Sequence, residues 1–94
     1  MTYVLVRFTV EDLAKWKSVF EEAAGLRKSF GSMGVRGFST ADSPNEVTIL
    51  AQYEDRAKAQ QMFQSQEFRE ATKRGGVMGP PDVTFLDEVV DLPA

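Results

Sequence analysis

The chain predicts an α+β fold, a ferredoxin-like split βαβ with an antiparallel sheet, and three observations carry that expectation. Strand-like and helix-like segments follow one another as strand, helix, strand, strand, helix, strand, which is the split βαβ order. The strongest strand segments are apolar on both faces; one helix layer covers only one face of a sheet, so the other is expected to pack on the sheet of a second copy. The length of 94 residues suits one domain with one modest core, so a binding pocket needs a partner subunit or a loop as a wall.

Each element has its own signal. Tyr3-Val4-Leu5-Val6-Arg7-Phe8 is nearly continuous apolar and β-branched, as in a strand covered on both faces. Thr9 or Glu11-Asp12 starts a helix that runs to about Phe30 and stops at Gly31 and Gly34. Leu13, Trp16, Val19, Phe20, Ala23, Leu26 and Phe30 fall on one stripe of that helix, and Arg27 sits inside the stripe. A charge there needs a partner or water, because burying it alone is costly. Val35 to Thr40 is a weaker strand, Ala41 to Asn45 a dense turn signal, and Glu46 to Glu54 a second strong strand. That strand places Val47, Ile49, Ala51 and Tyr53 on one face and Leu50 and Gln52 on the other. Asp55 caps a short helix through Phe63, and Ser65 caps another to about Lys73, closed by Gly75-Gly76. Val77 to Pro81 is read as irregular, Val83 to Val90 as the last strand, and Asp91 to Ala94 as a tail.

Composition excludes several function classes. The net charge is -3 and the pI about 4.9, with basic residues interleaved among acidic ones, so no nucleic-acid footprint is expected. No apolar run approaches the length of a membrane span, the amino terminus has no signal-peptide pattern, and no membrane partner is expected. The chain has no cysteine, hence no disulfide or thiolate chemistry, and a reducing cytoplasm is the default setting. It also has no histidine, which removes the commonest general base and the commonest metal ligand. No metal site and no cofactor are expected.

Asp12-Leu13-Ala14-Lys15-Trp16-Lys17, Phe20-Glu21-Glu22, Leu26-Arg27-Lys28, Asp42 to Val47, Phe68-Arg69-Glu70-Ala71 and Gly75 to Pro81 together resemble a group of short bacterial proteins. These belong to the dimeric α+β barrel superfamily, near the antibiotic biosynthesis monooxygenase-like proteins. The resemblance spans almost the whole chain. It implies a homodimer, a dimeric α+β barrel with two sheets face to face. Relatives often carry a histidine where this chain has Ala23, which sets it apart from members that lean on histidine. The nearer analogy is to cofactor-free quinone-forming monooxygenases, whose aromatic and polar side chains hold a phenolic substrate that itself activates oxygen.

Six residues are candidates for a ligand site. Arg27 reads as an anchor for an anion or phenolate, as a structural ion pair, or as an arginine whose stem packs while its head reaches solvent. Trp16 and Phe20 read as walls for a flat aromatic, or as plain core. Tyr3 and Tyr53 read as hydrogen-bond partners of a ligand oxygen, or as strand residues with hydroxyls at the surface. Met78, at the tip of the Gly75–Pro81 stretch, reads as a cover for a pocket mouth, as a contact to the partner subunit, or as part of an ordinary helix-to-strand connection. Arg7 and Arg36 either line a site for an acidic ligand or pair across strands with Glu46, Glu54 or Asp87. Three functions follow: a homodimer binding a small aromatic or acidic molecule, a cofactor-independent monooxygenase acting on a phenolic or quinone-like compound, and a structural or regulatory dimer with a filled interior.

Overall fold

A computed structural model describes all 94 residues. Thr2–Val10 forms β1, where alternation sends Val4, Val6 and Val10 into the core. Leu13–Glu22 is α1 and Ala24–Ser29 is α2. Ser32–Thr40 (β2) and Ser43–Tyr53 (β3) form a hairpin, Arg56–Gln64 is α3, Gln66–Arg74 is α4, and Val77–Leu86 is β4. The sheet order is β2-β3-β1-β4, and every neighbouring pair is antiparallel. The split βαβ order expected from the sequence is the order found. No helix is long and apolar enough to cross a membrane.

The helices lie on one face of the sheet. Val4, Val6, Val47, Ile49, Ala51 and Tyr53 from the strands meet Trp16, Ala59 and Met62 from the helices in one core. The molecule measures 34 × 33 × 20 Å, and the short dimension fits a sheet layer at about 10 Å from a helix layer. The opposite face of the sheet is left without a layer. Its rows follow from the register: Arg36, Leu50, Leu5 and Thr84 in one, Phe38, Thr48, Arg7 and Asp82 in the next.

Local chemistry sets the helix starts. The Asp12 carboxylate accepts from the Lys15 amide at 3.2 Å, and the Asp55 carboxylate accepts from the Lys58 amide at 2.8 Å. Ser65 serves two helices at once. Its hydroxyl accepts from the Phe68 amide at 3.1 Å to cap α4 and donates to the Met62 carbonyl at 2.6 Å to close α3. Ser65→Ala is expected to cost about 1–2 kcal/mol and to lower the thermal midpoint by roughly 4–8 °C per kcal/mol, read by circular dichroism melting.

Several sequence expectations are corrected. The first helix is broken at Ala23, whose amide still bonds to the Val19 and Phe20 carbonyls while α2 starts anew with no side-chain cap. The apolar stripe runs through the break, so periodicity alone reads one helix. β2 begins at Ser32 and β3 at Ser43, so Ala41-Asp42 alone joins them. The whole of the expected irregular stretch Val77–Pro81 belongs to β4, and the strand ends at Leu86 rather than Val90. Prolines are admitted there because β4 is an edge strand and carries a bulge. Thr9 pairs with Met78 and Arg7 with Asp82, so Gly79-Pro80-Pro81 stands opposite Phe8 alone. Gly79 has φ +75, a conformation that only glycine takes without strain. Cross-strand ion pairs of Arg7 or Arg36 are absent; the two ion pairs are Lys17–Glu21 at 3.9 Å and Lys58–Glu54 at 3.0 Å.

Candidate functional site

Between the sheet and the helices lies a cavity of about 80 Å³, lined by 19 residues of which 16 are hydrophobic. Two aromatic groups flank it. On the α1 side, Phe8, Trp16 and Phe20 pack in series, with ring centroids 5.5 Å and 4.8 Å apart. On the α3–α4 side, Phe63 makes edge-to-face contacts with Tyr53, Phe68 and Phe85. Such pairs add about 0.5–1.5 kcal/mol each beyond their burial, so both walls are rigid. Trp16 also fixes the neighbouring backbone: a Cβ on Gly75 would come within 3.1 Å of its Cδ1.

Arg27 is the one charged group in the lining. Its guanidinium lies 3.9 Å from the centroid of the Phe20 ring and donates from Nη1 to the Phe20 carbonyl oxygen at 2.7 Å. The ion pair considered from the sequence is therefore absent, and a carbonyl and a ring face take its place. Burial lowers the Arg27 pKa from its ordinary value, and the neighbouring Tyr53 opposes that shift.

Tyr53 is 1% exposed. Its hydroxyl is not at the surface; it donates to Met62 Sδ at 3.0 Å, and a thioether is a weak acceptor. Burial pushes its pKa up to about 12, while the positive charge of Arg27 pulls the other way. The phenol is thus neutral at physiological pH. The Thr72 hydroxyl, also in the lining, is already bonded to the Arg69 carbonyl at 2.8 Å.

Of the six candidates, Arg27, Trp16, Phe20 and Tyr53 converge on this cavity. Tyr3 does not: it pairs with Gln52 and Leu86, which places it on the opposite face of the sheet. Met78 lies outside the lining as well, 56% exposed on the bulged part of β4. Sequence reasoning missed Phe8, Met62, Phe63, Phe68 and Thr72. Phe63 and Phe68 flank the Ser65 break, so no single helical period links them; Phe8 continues the Val4–Val6 face of β1 and was legible by alternation. No group of three or more acidic, histidine or cysteine side chains is placed to hold a metal ion.

No protein-family model matches the chain, and no functionally curated protein matches it. Solved structures do. A candidate antibiotic biosynthesis monooxygenase from Bordetella bronchiseptica superposes with a TM-score of 0.81 at 20% identity, covering 95% of this chain and 97% of its own. SnoaB, a cofactor-independent oxygenase from Streptomyces nogalater, gives 0.80 at 18% identity, covering 99% and 97%. A candidate antibiotic biosynthesis monooxygenase from Deinococcus radiodurans gives 0.75 at 11% identity over 100% of both chains. The four-stranded antiparallel sheet with its single helix layer is therefore the α+β, ferredoxin-like fold of the antibiotic biosynthesis monooxygenase-like proteins.

Proposed function

We propose that the protein is a homodimer that binds a small, flat, weakly acidic aromatic molecule in the cavity between sheet and helices. The observation that carries this reading is the pairing of a charged Arg27 and a neutral, weakly bonded Tyr53 hydroxyl in a lining that is otherwise almost wholly apolar. An apolar site with a few convergent polar groups suits a ligand that is mostly hydrocarbon with one oxygen to be fixed. Arg27 supplies charge for a phenolate and Tyr53 supplies a hydrogen bond. Ligand sites commonly run from about 300 to 1,000 Å³, so a cavity of about 80 Å³ must widen on binding. The wall that yields is α2, which has no side-chain cap and no buried residue.

Dimerisation rests on the uncovered sheet face. Leu5 and Leu50 stand side by side there, and a second sheet would remove them from water. A cytoplasmic setting rests on the cysteine-free composition.

The test is a two-dimensional amide NMR titration with 1-naphthol. Shifts are expected at Ala23, Ala51 and Ala71, which line the cavity, with Tyr3 unmoved. Arg27→Met, which keeps an unbranched apolar stem, is expected to weaken binding by about tenfold, the worth of one charge-assisted hydrogen bond. Shifts confined to the open sheet face, or equal affinity in Arg27→Met, would overturn the assignment.

A second reading is favoured by the likeness to SnoaB: cofactor-independent oxygenation of a phenolic compound. A ring methylene activated by a neighbouring phenolate would take one oxygen atom from O2 and release the other as water, so the substrate itself supplies the electrons. Arg27 would stabilise the phenolate and Trp16 and Phe20 would hold the ring plane. Oxygen uptake with anthrone as substrate, lost in Arg27→Met, supports this reading. Uptake at the uncatalysed rate removes it and leaves binding alone.

A further inference from the structure

Three side chains in the cavity lining hold a polar hydrogen on a partner, and the partners differ in strength. Arg27 donates to the Phe20 carbonyl at 2.7 Å, and Thr72 to the Arg69 carbonyl at 2.8 Å. Tyr53 donates to Met62 Sδ at 3.0 Å. A thioether sulfur carries no hydrogen, so Tyr53 is the donor. Backbone carbonyls are strong acceptors and a thioether is a weak one. The Tyr53 proton is therefore the one most readily drawn off to a new oxygen.

Both ends of this bond are held in place. Tyr53 closes β3, is buried, and meets the Phe63 ring edge-on. Met62 is buried in the last turn of α3. Its carbonyl accepts from the Ser65 amide at 3.0 Å and from the Ser65 hydroxyl at 2.6 Å. Sδ is the sole hydrogen-bond partner of the Tyr53 hydroxyl.

We propose that Met62 is a positioning and specificity-determining residue, which holds the Tyr53 proton in the empty cavity and yields it to a ligand oxygen. A hydroxyl has one proton, so the bond to Sδ and the bond to a ligand exclude each other. Binding an oxygenated ring exchanges a weak bond for a stronger one. The sulfur left behind loses little, because a thioether packs as an apolar group. A plain hydrocarbon ring displaces nothing, and Tyr53 keeps its sulfur partner. Met62 thus sets how sharply the site separates a ring bearing an acceptor oxygen, a phenolate or a quinone carbonyl, from a ring without one. A carbonyl in place of the sulfur would hold the proton too firmly. With no acceptor at all, the hydroxyl would lie unpaired in the empty protein, at a cost to folding. This inference rests on the ligand-binding reading above.

The test compares the affinities of 1-naphthol and naphthalene, by amide NMR titration, for four proteins. These are the wild type, Met62→Leu, Tyr53→Phe and the double variant Tyr53→Phe/Met62→Leu. Leucine nearly conserves the volume of methionine and is well tolerated in cores. The ratio of the two affinities cancels any change in cavity shape. Met62→Leu is expected to raise the preference for 1-naphthol by about three- to tenfold, the worth of one hydrogen bond, while lowering the thermal midpoint. In the Tyr53→Phe background the same change is expected to leave the preference unmoved, because the proton is gone. A preference unchanged or lowered by Met62→Leu, with 1-naphthol still bound, overturns the role of Met62 and leaves the ligand site. An equal rise in the Tyr53→Phe background overturns it too. No binding of 1-naphthol to the wild type overturns both readings.

Discussion

Trp16→Ala is expected to remove about 3–5 kcal/mol of stability, the usual cost of deleting a large aromatic from a core. Few domains of this size carry more than about 5–15 kcal/mol in total, so one substitution consumes a large share. The reason is specific to its position. Trp16 is 9% exposed, is flanked by the rings of Phe8 and Phe20, and lies against Gly75 and Gly37. On the side of Gly75 and Gly37 no side chain stands ready to fill the void. Urea unfolding followed by far-ultraviolet circular dichroism should show the midpoint falling with the slope unchanged. Trp16→Phe, which keeps a ring between Phe8 and Phe20, is expected to recover more than half of the loss. A cost below about 1 kcal/mol for Trp16→Ala would mean that the aromatic wall is not packed as described.

The second large effect is alkaline. Tyr53 has its pKa raised from 10.0 to about 12, so between those two values the unfolded chain loses a proton that the folded chain keeps. Stability is therefore fully present below about pH 10 and is lost as pH rises toward about 12. A rise of that size corresponds to roughly 3 kcal/mol. Because Tyr53 is 1% exposed, solvent screening takes little from that figure. Denaturant midpoints measured across this window should fall in the wild type and fall by about 2–3 kcal/mol less in Tyr53→Phe. At neutral pH the same variant should lose under about 1 kcal/mol, since only a bond to sulfur is given up. Parallel alkaline curves for the two proteins would place Tyr53 in water.

Much of the fold is legible from one sequence because its signals are local. The β1 and β3 runs, the Asp55 and Ser65 caps and the strand–helix order each follow from a few neighbouring residues. The errors fall where a long-range contact overrides local chemistry. Gly79-Pro80-Pro81 reads as a loop, yet pairing of its flanks with β1 makes it a bulge within a strand. The α1–α2 break is silent because Ala23 and Ala24 are good helix formers. For the site, helical periodicity brought Trp16, Phe20 and Arg27 onto one stripe, and strand alternation put Tyr53 on the core face. That these two surfaces enclose a cavity depends on packing. Tyr3 and Tyr53 look alike in sequence, and only the register separates their faces. Phe63 and Phe68 come from two helices meeting at Ser65, and their convergence has no periodic signal.

The measurement that most directly tests the ligand-binding cavity is native mass spectrometry of the protein purified from its own host, beside Arg27→Met prepared identically. The expected result is a dimer carrying a small organic mass that is released on denaturation, with that mass reduced or absent in Arg27→Met. Bare polypeptide dimers of equal character from both proteins would contradict an Arg27-anchored ligand, and a bare monomer would contradict the dimer as well.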